Sequence, residues 1–277
     1  VMKRAEYLSP TEAMVRKDEL YWAVRSFCEG RPVDSLPVLF HLGNEVNAFH
    51  VPWKNHPHLV HRVVEYNLAP AIEVLRRVGR DVYGQADALP IMAGSITSPW
   101  PLGHGFLNAM ITASIDGDLA PSLAHARISD FTDYATIHYV MKGPFWSHYL
   151  EAVYQRLVKP GLVKGFWSTE EVGGNADLHR GPYMVALPFR YLDWWSRHEW
   201  QPRKGAVIYW GDTRSRSSYT TSLDVQNLLA RFLSSHQLAN LTDSILVQGT
   251  PDVETYAFAT NDSKEVALTV GVMSFSY

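Results

Sequence analysis

Cysteine is nearly absent. Among 277 residues Cys28 stands alone, so no disulfide can close within the chain and no cysteine-based metal site can be built. Long apolar runs are missing too, and none approaches the ~18 residues that a membrane span requires. Charge of one sign is never concentrated: the net charge is −3, without a basic block or stripe, so neither nucleic acid nor an anionic membrane is indicated as partner. Repeats and low-complexity tracts are lacking as well. What remains is the composition of an ordinary globular protein, 46% hydrophobic and 19% charged, long enough for one large domain or one domain with a small appendage. Aromatic residues are plentiful at 12%, nine of them Trp. Trp and Tyr stack on the apolar faces of sugars while their polar edges stay wet, which suits a carbohydrate site as well as an aromatic core.

The chain reads as alternating strands and helices. Ser9-Pro10-Thr11-Glu12 is a helix start, with Ser at the N-cap, Pro at the first helical position and Glu closing a capping box. That helix should run to about Glu29 and stop at Gly30. It carries Cys28, beside Phe27, as a buried thiol. A buried strand from Ser35 to Leu42 follows, then a helix from near Pro57 with Leu59, Val60, Val63 and Val64 on one face. Pro70 should kink or break this helix, and Gly79 should end it. Further strands are expected at Leu89 to Ser95, Tyr134 to Tyr139, Leu162 to Thr169 and Ala206 to Trp210. Helices are expected at Leu107 to Ser114, Trp146 to Leu157, Met184 to Glu199 and Leu223 to His236. This rhythm argues for a parallel α/β architecture. Near residue 242 the pattern changes to short β-type runs, Ser244 to Gln248, Val253 to Thr260 and Glu265 to Val272, separated by turn residues.

Two glutamates stand out in this frame. Glu45, in His41-Leu42-Gly43-Asn44-Glu45-Val46-Asn47, and Glu170, in Phe166-Trp167-Ser168-Thr169-Glu170, each follow a short apolar run where a strand hands over to a loop. The interval leaves room for three βα units. Two carboxylates at the carboxyl ends of two barrel strands are what retaining glycoside hydrolysis needs, with the carboxyl groups ~5–5.5 Å apart. Histidines form a weaker grouping. His58 and His61 lie three apart on a helix, with His50 and His56 nearby, but no cysteine or acidic partner falls at a recognised spacing and no HExxH pattern occurs. No metal or other cofactor is assigned. Asp177-Leu178-His179-Arg180 suits either a cleft lining or a solvated loop, and Gly173-Gly174-Asn175 has no Lys-Ser/Thr pair after it to make a phosphate loop.

Four motifs in order carry a family likeness: Asn44-Glu45, His138-Tyr139, Thr169-Glu170 and Tyr209-Trp210, each at the end of an expected strand. Over roughly residues 9 to 236 the chain resembles the clan-A retaining glycoside hydrolases, a (β/α)8-barrel group of cellulases, β-xylosidases and β-glycosidases. The resemblance implies that residues 1–241 are the C-terminal part of a TIM-type barrel and that residues 242–277 begin a small antiparallel β segment. Glu45 would then be the acid/base and Glu170 the nucleophile. Asn44 would hydrogen-bond the sugar 2-hydroxyl, His138 or Tyr139 would face the carboxylates, and Trp210 would lie under the sugar ring. The partner implied is a carbohydrate substrate. The chain departs from the clan pattern at Val46, where Pro is usual, and at Glu171-Val172, which precede Gly173-Gly174; Glu171 is therefore the alternative nucleophile, with Glu170 favoured as the residue directly after Thr169. Only one helix precedes the strand that would be the fourth, so the first three strands would come from a missing N-terminal barrel portion. Two rivals remain: a non-catalytic barrel fragment that binds glycans, and a metal-dependent hydrolase using the histidines.

Overall fold

A computed structural model of the chain describes residues 10–36, 40–43, 46–47, 58–96, 103–138, 146–171, 194, 198, 207–209, 236–238, 253–260 and 266–272. For Glu170, Glu171 and the strands beyond residue 206 the backbone alone is described. The chain divides into two compact units. The first comprises Val1–Val140, His148–Thr169 and Lys204–Ala206; the second comprises Met141–Ser147, Glu170–Arg203 and Val207–Tyr277.

In the first unit the expected first helix forms over Pro10–Cys28 (α1), and the chain turns at Gly30, whose φ of 75° suits a residue without a Cβ. Strand β1 is Phe40–Leu42, within the expected run from Ser35 to Leu42, of which residues 37–39 lie outside the described residues. The next helical stretch shows how a proline is tolerated. Leu59–Val63 (α2) passes through a π-helical turn, Val64–Leu68, into Ala69–Tyr83 (α3), and the Ala69 N–H donates to Val64 O, five residues back. Pro70 offers no N–H and its ring crowds the preceding turn, so the widened turn absorbs the conflict at the point where a kink or a break was expected. The stop expected at Gly79 lies instead at Gly84, in the left-handed conformation with its N–H on Arg80 O at 3.0 Å. Gly79 serves packing: a Cβ there would sit 2.6 Å from the Gln85 carbonyl oxygen.

Strands β2 (Ile91–Ile96), β3 (Tyr134–His138) and β4 (Gly165–Glu171) follow, with helix α4 (Gly103–Thr112) after β2 and α5 (Trp146–Val153) after β3. Beyond α5 a second π-helical turn, Tyr154–Val158, leads towards β4. The sheet order is β1-β2-β3-β4, with β1 parallel to β2 and β2 parallel to β3. A parallel sheet with helical connections is α/β architecture, as the alternation of the sequence indicates. Helices α1 and α3 pack together. Tyr21 Oη donates to Asp81 Oδ2 at 2.6 Å, and Tyr83 Oη to Cys28 O at 3.0 Å. Cys28 is buried, and Ile72, Leu75 and Val78 are in the core. At the amino ends of the strands, Asp133 accepts from the Ile91 N–H at 2.8 Å and from Lys164 Nζ at 2.6 Å, tying the starts of β2, β3 and β4.

The second unit contains the short strand β5 (Val207–Tyr209) and a three-stranded antiparallel sheet ordered β6-β7-β8. Its longer strands, Val253–Thr260 (β7) and Val266–Val272 (β8), coincide with two expected β runs. His236, expected as the last residue of a helix, is instead the first of β6 (His236–Leu238), opposite Thr260. Cross-strand pairing with β7 overrides the local helical pattern there.

Candidate functional site

The two faces of the parallel sheet differ in chemistry. Register places His41 beside Met92 and Met92 beside Tyr134, while Phe40, Ile91, Leu42 and Ala93 take the opposite phase. Phe40 meets Phe27 edge-on at 6.5 Å, which puts α1 on the apolar face. Strict alternation would then send Ser95 to that apolar side. It does not go there. Gly94 adopts φ 65°, the register slips between Ala93 and Ser95, and Ser95 pairs with Thr136. A glycine bulge of this kind re-aims the next side chain. The polar face therefore gathers Ser95, Thr136, His138 and Thr169 towards the carboxyl end, with Tyr134 and Trp167 in edge-on contact at 6.3 Å.

These groups form one hydrogen-bonded chain. The Val46 N–H donates to the Ser95 carbonyl at 2.9 Å. Ser95 Oγ is in close contact with His138 Nε2, which lies 3.0 Å from Thr169 Oγ1. Thr169 Oγ1 in turn contacts Thr136 Oγ1. Ser95 and Thr136 are fully buried and His138 is 1% exposed. With no solvent-facing surface, Ser95 is a support for His138 and not an exposed nucleophile. Gly43 closes β1 with φ 80°, and a Cβ on it would lie 2.8 Å from Val46 Cγ1, so the chain turns back on itself there.

His41 shares this face. Its ring is exposed by area yet hemmed in by protein at longer range; that burial, with a smaller contribution from His138, lowers its pKa to about 4. An imidazole with so low a value is neutral across the physiological range.

Of the residues singled out in the sequence, His138 is placed with its side chain at the centre of this network. Glu170 and Glu171 are the last two residues of β4, immediately after Thr169. Asn44, Glu45, Tyr139, Trp210, His50, His56 and the Asp177 to Arg180 loop lie outside the described residues. His58 is exposed at the start of α2. His61 belongs to a different group: it, Glu65 and Asp116 offer ligand atoms within 4.8 Å of one another, with His61 Nδ1 3.5 Å from Asp116 Oδ2. Glu65, in the π-helical turn and fully buried, also accepts the N–H groups of Asp116 at 2.7 Å and Gly117 at 3.2 Å. Its carboxylate thereby fixes the turn after α4. Ser95, Thr136 and Thr169 were not recognised as site residues. A glycine inside a strand pattern, at Gly94, is the signal that marks the bulge.

In sequence comparisons no protein-family model and no curated protein matches the chain.

Proposed function

We propose that the chain carries the catalytic centre of a retaining glycoside hydrolase that cleaves a β-glycosidic bond. One observation supports this best: the hydrogen-bonded chain from Val46 through Ser95 and His138 to Thr169. It joins the residue after Glu45 to the residue before Glu170, at the carboxyl ends of neighbouring parallel strands. Sites in parallel α/β folds lie at that end. In this reading β1 to β4 are the fourth to seventh strands of a (β/α)8 barrel and β5 is the eighth.

Glu45 would give a proton to the leaving glycosidic oxygen and then activate water. The nucleophile would be Glu170 or Glu171, attacking the anomeric carbon to form a glycosyl-enzyme. Thr169 faces the His138 network, and side chains alternate along a strand, so position 171 shares the phase of 167 and 169. Strand phase thus favours Glu171, whereas adjacency to Thr169 favours Glu170. Asn44 would bind the 2-hydroxyl, His138 rather than Tyr139 would flank the carboxylates, and Trp210 would carry the sugar ring.

The test is a panel of aryl β-glycosides followed by NMR of the first-formed anomer. Retention is expected, with Glu45→Ala and one of Glu170→Gly or Glu171→Gly losing turnover by several orders of magnitude. Azide should rescue the two classes of variant with opposite anomeric products. Inversion, or turnover indifferent to all three substitutions, would overturn the assignment. A folded chain that binds oligosaccharides without cleaving them would identify a glycan-binding barrel fragment instead.

A further inference from the structure

We propose that Ser95 is a positioning residue that keeps His138 uncharged, with its proton on Nδ1, so that no imidazolium sits beside the glutamates. The proposal rests on the glycosidase reading for its purpose, but its geometry stands without it.

The argument is a count of hydroxyl hydrogens. Among the described residues, the one hydrogen-bond partner of Ser95 Oγ is His138 Nε2. Ser95 is fully buried, so its hydroxyl hydrogen has no solvent to turn to. Thr136, equally buried, has Thr169 Oγ1 as its partner among those residues, and its hydrogen goes there. With its oxygen accepting from Thr136, Thr169 directs its own hydrogen towards His138 Nε2 at 3.0 Å. Donors converge on one imidazole nitrogen. The fully buried Ser95 hydrogen is satisfied when Nε2 offers its single lone pair, with half-buried Thr169 sharing it or turning to water, and this places the proton of the neutral ring on Nδ1. Protonating Nε2 would turn its lone pair into a donor and strand the Ser95 hydrogen in a buried site, an arrangement that costs free energy.

The purpose follows from the mechanism. A retaining glycosidase needs one carboxyl protonated at rest, and a neighbouring cation would draw that proton off by stabilising the carboxylate. The titratable groups on this face, among the described side chains, are His41 on β1 and Tyr134 and His138 on β3. His41 is neutral by its surroundings. His138 is kept neutral by the Ser95 hydroxyl, with Thr169 beside it on the same nitrogen and Thr136 bonded to Thr169. The Gly94 bulge is what delivers the first of them, and the Ser95 carbonyl also holds Val46, so one residue serves both strand ends.

Long-range 1H–15N correlation spectra of histidine-labelled protein read the tautomer directly. The wild type should show His138 as the Nδ1–H form, with no protonation between about pH 8 and pH 5. Ser95→Ala, which removes the hydroxyl and little volume, should let His138 take up a proton within that window; Ser95→Thr should restore the wild-type spectrum. Thr169→Val gives a second, independent removal of a donor and should shift the titration the same way. In Ser95→Ala the basic limb of kcat/KM should move to lower pH by about one unit, a displacement that mere loosening of the fold would not produce. An Nε2–H tautomer, or a cationic His138 in the wild type, would overturn the proposal, as would a Ser95→Ala spectrum unchanged from wild type. If the Nδ1–H form is found but no β-glycoside is cleaved, the hydroxyl network stands and the glycosidase reading fails alone.

Discussion

Substituting Gly94→Ala should be among the most damaging single-methyl changes in the parallel sheet. Two separate penalties meet at this position. The backbone has φ 65°, and an L-residue in the left-handed region costs roughly 1–2 kcal/mol. The added Cβ would lie 1.8 Å from Met110 Cε and 2.9 Å from Met110 Sδ, and forcing a methyl into a filled core costs about 1–3 kcal/mol. Together they predict a loss of about 2–5 kcal/mol, readable as a lower urea midpoint with an unchanged slope. A double-mutant cycle separates the parts. Met110→Ala alone should cost about 2–5 kcal/mol through the cavity it leaves. In that background the alanine at 94 no longer clashes, and its cost should fall to the backbone strain of about 1–2 kcal/mol. A Gly94→Ala protein within 0.5 kcal/mol of wild type, or strict additivity with Met110→Ala, would refute the account of the bulge.

Glu65→Ala removes a fully buried carboxylate that accepts two main-chain N–H groups, and the loss of its bonds to Asp116 and Gly117 should cost about 1–3 kcal/mol in chemical denaturation; no loss at all would contradict this. Burial pushes the Glu73 carboxyl up, but hydrogen bonds from Lys17 and from the Ser122 hydroxyl and N–H outweigh it and hold the pKa below the ordinary value. Because the folded value is the lower one, this stabilisation is complete above the ordinary carboxylate range and is lost as pH falls through the folded value. The stability difference between wild type and Lys17→Met should therefore shrink on acidification, and a difference independent of pH would count against the network. His41 should titrate near 4 by NMR, where an unperturbed histidine would titrate near 6.5. Its neutral folded form means that stability declines as pH drops from about 6.5 towards 4, while the unfolded chain takes up a proton that the folded chain does not.

The alternation of strands and helices is legible in the sequence because each element obeys a local rule. The Ser-Pro-x-Glu start of α1 and the apolar runs of β2, β3 and β4 need no tertiary information. The misjudged points are those where distant residues decide. Gly79 looks like a stop, but it stays in the helix because the chain after Gly84 folds back over it. At Pro70, read as a kink or a break, the irregularity is a π-helical turn just before it. His236 belongs to a strand only because β7 lies alongside. At the site, His138 is recognisable as a polar residue ending an apolar strand. Ser95 is not, since its presence on the polar face depends on a one-residue slip that strand periodicity hides. The pairing of Glu65 with the turn after α4 is likewise a contact between segments far apart in sequence, with no motif to announce it.

Covalent trapping tests the central claim most directly. Incubation with a panel of 2-deoxy-2-fluoro β-glycosides bearing good leaving groups, followed by peptide mapping by mass spectrometry, identifies the nucleophile by the mass it gains. The proposed retaining mechanism predicts one sugar on the peptide that holds Thr169, Glu170 and Glu171, carried by Glu171 if strand phase decides and by Glu170 if adjacency does. Label on a residue elsewhere in a chain that hydrolyses these glycosides would contradict the account.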